Sequence, residues 1–285
     1  MEPYPIHARR LPSSADFSQH AFIVKRTADE LASRLELLAI EPTAIADIGA
    51  HDGALSQQLA AHFPAAQVTA VEPLQALLTP LSSHKPRWPW QRSRIQSAYN
   101  PLTALQQADN SVQLAVSNLA LPRYAEPDAV LSEAARIVAP GGAFMLSTLG
   151  PESLRELRDA WHAVDPDSAH VATFTDMHDV GDALVRHGFA EPVLDVERLT
   201  IHYSDPAALW RDLTATLARN VLPDRRNSLT GRQRFARMLH KLTRGDSFDI
   251  TLEIVYAQCW GNPRTQRSAG TDEVRISPTS IRRRV

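Results

Sequence analysis

Two glycines and two acids carry the first chemical signal in the chain. Asp47, Gly49 and Gly53 stand in Ile45-Ala46-Asp47-Ile48-Gly49-Ala50-His51-Asp52-Gly53, and Glu72 closes a second apolar run, Val68-Thr69-Ala70-Val71. An apolar run, a small-residue turn and an amphipathic segment from Leu55 to Phe63 read as strand, Gly turn and helix. Glycine lets the backbone turn tightly and approach a ligand closely. Ligands of open α/β sheets bind beyond the carboxyl ends of the strands. A carboxylate at the end of the second strand can accept hydrogen bonds from both hydroxyls of a ribose. The unit therefore suits a nucleoside-bearing cofactor. His51 occupies the middle glycine position of a dinucleotide fingerprint and the third glycine is missing, which argues against a turn that grips a pyrophosphate. A buried βαβ turn that holds no ligand is the alternative.

The second signal is cationic. Arg155 and Arg158 lie three apart on one face of a helix that follows the fifth apolar run, near the ligand edge of such a sheet. Arginine holds a carboxylate bidentately. The alternative pairs both residues with Glu152 and Glu156 on a solvated face. Tyr99, Tyr124 and His178 are further pocket candidates, and Lys25 and Arg26 sit on a helix as solvated charges or as part of a lid over an anionic substrate. No Ser/His/Asp or Cys/His constellation is evident. No His/Cys cluster has metal spacing, so no metal is expected. His51-Asp52 and His178-Asp179 read as isolated polar turns, and Cys259 reads as a buried strand residue.

The elements that must position these residues alternate. A helix from Ala21 to Leu38 precedes the Gly turn; residues 1–16 read as irregular. After Glu72 come a helix to about Leu81, a loop from Ser82 to Arg92 with Trp88 and Trp90, and short strands at Ile95–Ala98 and Val112–Asn118. A helix from Asp128 to Val138 stops at Pro140-Gly141-Gly142, and Ala143–Thr148 is the fifth strand. Helices then follow at Ser153–Trp161, Thr175–His187, Ala207–Leu217 and Arg232–Leu242. Val193–Tyr203 and Phe248–Trp260 alternate like strands, a pair that would close the sheet as an antiparallel edge. The class is α/β with a mostly parallel sheet. A chain of 285 residues, 44% hydrophobic, holds a sizeable core; its net charge of −2 gives no case for nucleic acid or an anionic membrane surface. One cysteine excludes an internal disulfide framework, and no apolar run is long enough to span a bilayer. The first residues have no secretory h-region, so a cytoplasmic enzyme is expected. Residues 263–285, ending in Arg282-Arg283-Arg284, read as a basic disordered tail.

Ser117-Asn118-Leu119-Ala120-Leu121 and Leu131-x-x-x-x-Arg136-Ile137-Val138-x-Pro140-x-Gly142 resemble the core of class I S-adenosylmethionine (SAM) methyltransferases. The stretches Ser147–Arg158 and Phe174–Leu184, with Asp195-Val196-Glu197 and Leu252–Tyr256, are more specific. Together they are similar to the biotin-pathway malonyl-[acyl-carrier protein] O-methyltransferases over about residues 17–262. The resemblance implies a Rossmann-like, seven-stranded fold in a single domain over 1–262, with helical additions in the C-terminal half. It implies a lid helix at about 20–38, a SAM-binding core at about 39–150 and a substrate side at about 151–262. Asp47, Gly49, His51, Gly53, Glu72, Asn100 and Asn118 would hold SAM. Arg155, Arg158 and Tyr124 would orient a malonyl thioester on acyl-carrier protein. The family pattern is broken in places. Motif I, usually Gly-Cys-Gly-Thr-Gly, is Gly49-Ala50-His51-Asp52-Gly53 here. The adenine-contacting Asp after strand three is replaced by a stretch containing Asn100, an Asp early in strand four is Gln113, and an aromatic pair after Ser-Asn-Leu gives way to Pro122-Arg123-Tyr124. Other outcomes are a non-methylating member that binds a carrier or assembly partner, and a protein arginine hydroxylase like the complex I assembly factors.

Overall fold

The computed structural model describes residues 13–83, 93–123, 127–216, 230–243, 245 and 247–262. The sheet contains β1 (Ala44–Ile48), β2 (Gln67–Val71), β3 (Ile95–Ala98), β4 (Val112–Asn118), β5 (Val138–Leu149), β6 (Phe189–Tyr203) and β7 (Phe248–Gly261), in the order β3-β2-β1-β4-β5-β7-β6. β1 to β5 pair in parallel, whereas β7 runs antiparallel to both β5 and β6. β1 and β4 are covered on both faces, so their sequences are continuous apolar runs rather than alternations. β6 is an edge strand, which explains its alternating pattern. The chain winds outward from β1 through β2 to β3, then returns to place β4 on the other side of β1. That reversal is the topological switch point, where open α/β sheets bind their ligands.

Helices cover both faces. α2 (Phe22–Leu35), α3 (Ala54–His62), α6 (Arg155–His162), α8 (Pro206–Ala215) and α9 (Arg232–Leu242) share one core with Leu114, Met145 and Ile254 of the sheet. α5 (Pro127–Ile137) and α7 (Met177–Arg186) share the opposite core with Ala46, Ala115 and Phe144. α4 (Gln75–Ser83) follows β2. Among the described residues no helix is long and apolar enough to cross a membrane.

Two expectations change. The N-terminal helix is preceded by α1 (Ser14–His20), separated from α2 by the buried Ala21, so helix begins inside the segment read as irregular. A capping box starts it: Ser13 Oγ accepts from the Asp16 N–H at 3.1 Å, and Asp16 Oδ2 accepts from the Ser13 N–H at 3.2 Å. Pro140-Gly141-Gly142 does not separate helix from strand. β5 begins at Val138, and the pairing jumps from Val112↔Val138 to Leu114↔Ala143, so the triplet is absorbed as a bulge, where proline is tolerated. Trp88, Trp90, Tyr124 and the 263–285 tail lie outside the described residues.

Candidate active site

The switch point is built by a tight turn after β1. The N–H groups of Gly49 and Ala50 both donate to Val71 O at 2.9 Å, folding the turn against the end of β2. Gly49 has φ +81°, and a Cβ there would stand 2.3 Å from Ala120 Cβ, so the position admits only glycine. His51, at φ 52°, keeps the left-handed backbone that suits a glycine. Holding a side chain there costs about 1–2 kcal/mol. Gly53 has a packing role as well. It precedes α3 at φ +81° and a Cβ would meet Leu81 Cδ1 at 2.1 Å, so its small size serves packing against α4.

Glu72 is fully buried at the end of β2, and both its oxygens are taken by an arginine. Arg123 Nη2 donates to Oε1 at 3.0 Å and Nη1 to Oε2 at 3.1 Å. The backbone N–H groups of Leu74 and His51 add donors at 3.2 Å each. Burial opposes ionisation of Glu72, but the charge and hydrogen bonds of Arg123 outweigh it and hold the carboxyl below its ordinary range. Arg123 Nη1 also lies 2.9 Å from His51 Nδ1. A guanidinium only donates, so Nδ1 accepts; Nε2 therefore carries the proton and donates to Asn118 O at 2.8 Å. The ring stacks on Phe17, centroids 5.2 Å apart. Burial, then the charge of Arg123, push the imidazole down to about 4, so His51 is neutral.

Three further expected residues surround this corner. Asp47 is fully buried; its Oδ2 accepts from Ser56 Oγ at 2.6 Å, and its Oδ1 has no partner among the described residues. Burial raises the carboxyl to about 7. Asn100 Nδ2 donates to the carbonyls of Pro101 and Ala104 at 3.3 and 3.1 Å, which fixes the amide and leaves the buried Oδ1 without a partner among the described residues. Asn118 makes three side-chain bonds: Oδ1 accepts from Thr27 Oγ1 at 2.6 Å and Ser147 Oγ at 2.7 Å, and Nδ2 donates to Val24 O at 2.8 Å. It ties α2 to β4 and β5.

A cavity of about 530 Å³ opens beside this corner, a size typical of small-molecule sites. Its walls are mostly apolar, with Leu149 at the end of β5, Leu154 after it, Trp161 of α6, Trp210 of α8 and Phe235 of α9. His51 and Arg123 form one end, and Arg123 is the only Asp, Glu, Lys or Arg among the described lining residues. A second cavity of about 10 Å³ touches Asp47, Gly49, His51 and Asn118.

The two arginines expected to orient a substrate do not line the cavity. Arg155 is half exposed and bonds Glu152 at 2.7 Å and Glu156 at 3.2 Å, as the solvated-face alternative has it. Arg158 donates to the carbonyls of Pro151, Ser153 and Ala172 and so braces the wall rather than facing into it. The stretch that carries them is locked to β7. Glu253 Oε2 accepts from the Glu152 N–H at 3.0 Å, Ser153 Oγ donates to Glu253 O at 3.0 Å and accepts its N–H at 2.9 Å, and the Leu154 N–H donates to Thr251 O at 2.8 Å. Glu156 in turn accepts from the Thr251 N–H at 2.9 Å. Tyr99 is exposed, and His178 lies in the first turn of α7 with its N–H on the capping Asp176 side chain at 2.9 Å; neither lines the cavity. Arg26, on α2, pairs with Glu197 of β6. Arg123, Phe17 and Ser56 were not picked out as site residues. The only sequence signal for Arg123 is its charge in Pro122-Arg123-Tyr124, where the resemblance implies an aromatic pair.

A family model described as "Methyltransferase domain" matches residues 46–146. The chain is 38% identical to the malonyl-[acyl-carrier protein] O-methyltransferase of Halorhodospira halophila, covering 97% of this chain and 94% of that protein. It is 36% identical to the protein of the same name from Laribacter hongkongensis, covering 93% of each. Among solved structures, the YcgJ protein of Bacillus superposes with a TM-score of 0.60 at 13% identity, over 84% of this chain and 99% of that one. The putative methyltransferase in complex with the Haloferax volcanii Trm112 activator gives 0.54 at 13% identity, over 89% and 96%. Those two likenesses show a shared fold, and the full-length relatives show more: the chain belongs to the malonyl-[acyl-carrier protein] O-methyltransferase family.

Proposed function

We propose that the protein transfers the methyl group of SAM to the free carboxylate of a malonyl thioester on acyl-carrier protein, early in biotin synthesis in the cytoplasm. The observation that carries the cofactor is a match of donors to acceptors. SAM presents an ammonium, an adenine amine and a ribose diol, all donors. The switch point holds three buried acceptors, Asp47 Oδ1, Asn100 Oδ1 and the Glu72 carboxylate, of which the first two lack partners among the described residues. Asp47 would take the ammonium, Asn100 the adenine amine and Glu72 the diol. An unpaired buried acceptor costs about 1–3 kcal/mol, which a ligand donor recovers.

When bound, the sulfonium supplies an electrophilic methyl: a carboxylate oxygen forms the new C–O bond while the C–S bond breaks and its electron pair goes to sulfur. The chain need not move a proton, because a malonyl carboxylate is ionised at neutral pH. Its residues instead hold reactants in line and exclude water. The apolar walls around Leu154, Trp161 and Phe235 suit the thioester end of a carrier arm, and Arg158 keeps those walls in place through the Pro151 and Ala172 carbonyls. Alignment of this kind contributes up to roughly 7–11 kcal/mol in favourable cases. The test is to incubate the protein with SAM and either malonyl- or acetyl-carrier protein and weigh the carrier by mass spectrometry. Gain of one methylene mass on the malonyl carrier alone is the expected result. SAM binding without transfer would remove the malonyl substrate, and no SAM binding under any condition would remove the cofactor.

A further inference from the structure

Arg123 raises a problem of charge. It is 4% exposed, it holds the carboxylate that a ribose diol needs, and it also lines the large cavity. A diol can take Glu72 only if the guanidinium lets go. A buried arginine stripped of its carboxylate is strongly unfavourable unless another anion meets it. The cavity offers the released side chain apolar walls, the neutral His51 and the threonines Thr214, Thr216 and Thr230, and no carboxylate among its described lining. A substrate that carries its own anion would supply the compensation at the cavity face of Arg123.

We infer that Arg123 exchanges partners, standing on Glu72 in the cofactor-free protein and turning to the free carboxylate of the acyl substrate when the cofactor's ribose takes Glu72. This rests on the SAM reading above and adds to it a residue that selects a carboxylate-bearing acyl group. Three observations support it. The grip on Glu72 is a planar two-point contact, the geometry with which arginine holds any carboxylate, so one carboxylate can replace the other. Arg123 sits in a single 3-10 turn, Leu121–Arg123, directly after β4, at the boundary between Glu72 and the cavity. His51, the chain's other departure at this corner, touches Arg123 through Nδ1, and its backbone N–H donates to Glu72, a donor to the carboxylate that is independent of the guanidinium. The exchange makes the two binding events cooperative. It also favours product release, because the methyl ester is neutral and no longer satisfies the guanidinium.

The experiment measures binding of S-adenosylhomocysteine, which cannot react, by calorimetry at pH 8, alone and with saturating malonyl- or acetyl-carrier protein. For wild type, the malonyl carrier should tighten binding at least about fivefold, the lower end of ordinary coupling between sites; the acetyl carrier, which lacks the carboxylate, should not. Arg123→Met should bind S-adenosylhomocysteine more tightly than wild type by a similar factor and show no response to the malonyl carrier. Arg123→Lys, which keeps the charge without the fork, should lie between them, and it carries the test alone if the methionine variant fails to fold. Equal affinity in all proteins with no malonyl response overturns the inference and leaves the cofactor assignment standing. Failure of every protein to bind S-adenosylhomocysteine, with either carrier, overturns both.

Discussion

Replacing His51 by glycine should alter the pH dependence of stability more than stability at alkaline pH. In the folded protein the ring is 3% exposed, Nδ1 accepts from Arg123, and the Nε2 proton is spent on Asn118 O. Burial and then the charge of Arg123 push its pKa from 6.5 down to about 4. Unfolded, it titrates at its ordinary value. Between those two values the unfolded chain binds a proton that the folded chain refuses. The stability gained by keeping His51 neutral is therefore complete above about pH 6.5 and is lost as pH falls through about 4. At 1.36 kcal/mol per pH unit the whole window is worth roughly 3 kcal/mol, of which about 2 kcal/mol has gone by pH 5. Against this, the glycine variant loses two hydrogen bonds, about 1 kcal/mol each, and the stacking on Phe17, about 0.5–1.5 kcal/mol. It regains about 1–2 kcal/mol of left-handed strain.

The variant should thus be less stable than wild type by roughly 1–2 kcal/mol at pH 8, and the gap should close or reverse at pH 5. Asp47 works in the opposite direction. Burial raises it to about 7, so stability from its neutral form is complete below about 3.8 and lost as pH rises through 7. In wild type the two slopes offset each other and stability is nearly flat across this range; in the difference between the two proteins Asp47 cancels. Urea unfolding at pH 8 and pH 5, with matched m-values, reads the difference directly. A gap that is constant, or that widens toward acid, would refute the assignment of a buried neutral His51.

Two other outcomes follow from the geometry. Gly49→Ala should cost about 2–5 kcal/mol, combining overpacking with left-handed strain, whereas Gly141→Ala, at φ +75° in open space, should cost only the strain, about 1–2 kcal/mol; thermal unfolding of the pair separates close approach from conformation. Arg155→Ala should leave kcat/KM for the malonyl carrier unchanged, while Arg158→Ala, by releasing the Pro151, Ser153 and Ala172 carbonyls, should raise KM with little change in S-adenosylhomocysteine affinity. Equal loss in both would return the arginines to the substrate.

The strands were legible because burial on one face or two writes itself into local sequence. β3 and β4 match their expected spans, and β7 shows in the alternation from Ile250 to Tyr256. The Pro-Gly-Gly bulge was not, since breakers end an element only when no neighbouring strand absorbs them; here β4 does. Asp47 within β1 and Glu72 and Asn100 after β2 and β3 are buried acceptors whose place near strand ends is written in the sequence, whereas the packing of Gly53 on Leu81 and the bonds of Asn118 to α2 and β5 depend on residues distant in the chain. Arg155 and Arg158 show the limit of reading charge from a helical face: position after β5 was right, but the φ of +58° at Leu154 and the lock to Glu253 turn that helix so that Leu157 and Trp161 face the cavity instead. Arg123 was hidden for a different reason. Its meaning depends on Glu72 and His51, which are 51 and 72 residues away in sequence, and a pairing at that range leaves no local pattern. Seen together, the histidine in place of a motif glycine and the arginine in place of an aromatic are not two independent erosions of a cofactor site. Each accounts for the other: the arginine supplies the donor that fixes the histidine tautomer, and the histidine backbone supports the carboxylate the arginine holds. Beside this pair, Asp47 Oδ1 and Asn100 Oδ1 stay buried without partners among the described residues, at about 1–3 kcal/mol each. The proposed cofactor reading accounts for both features together: donors for the two open acceptors, and a guanidinium standing on the carboxylate when no diol does.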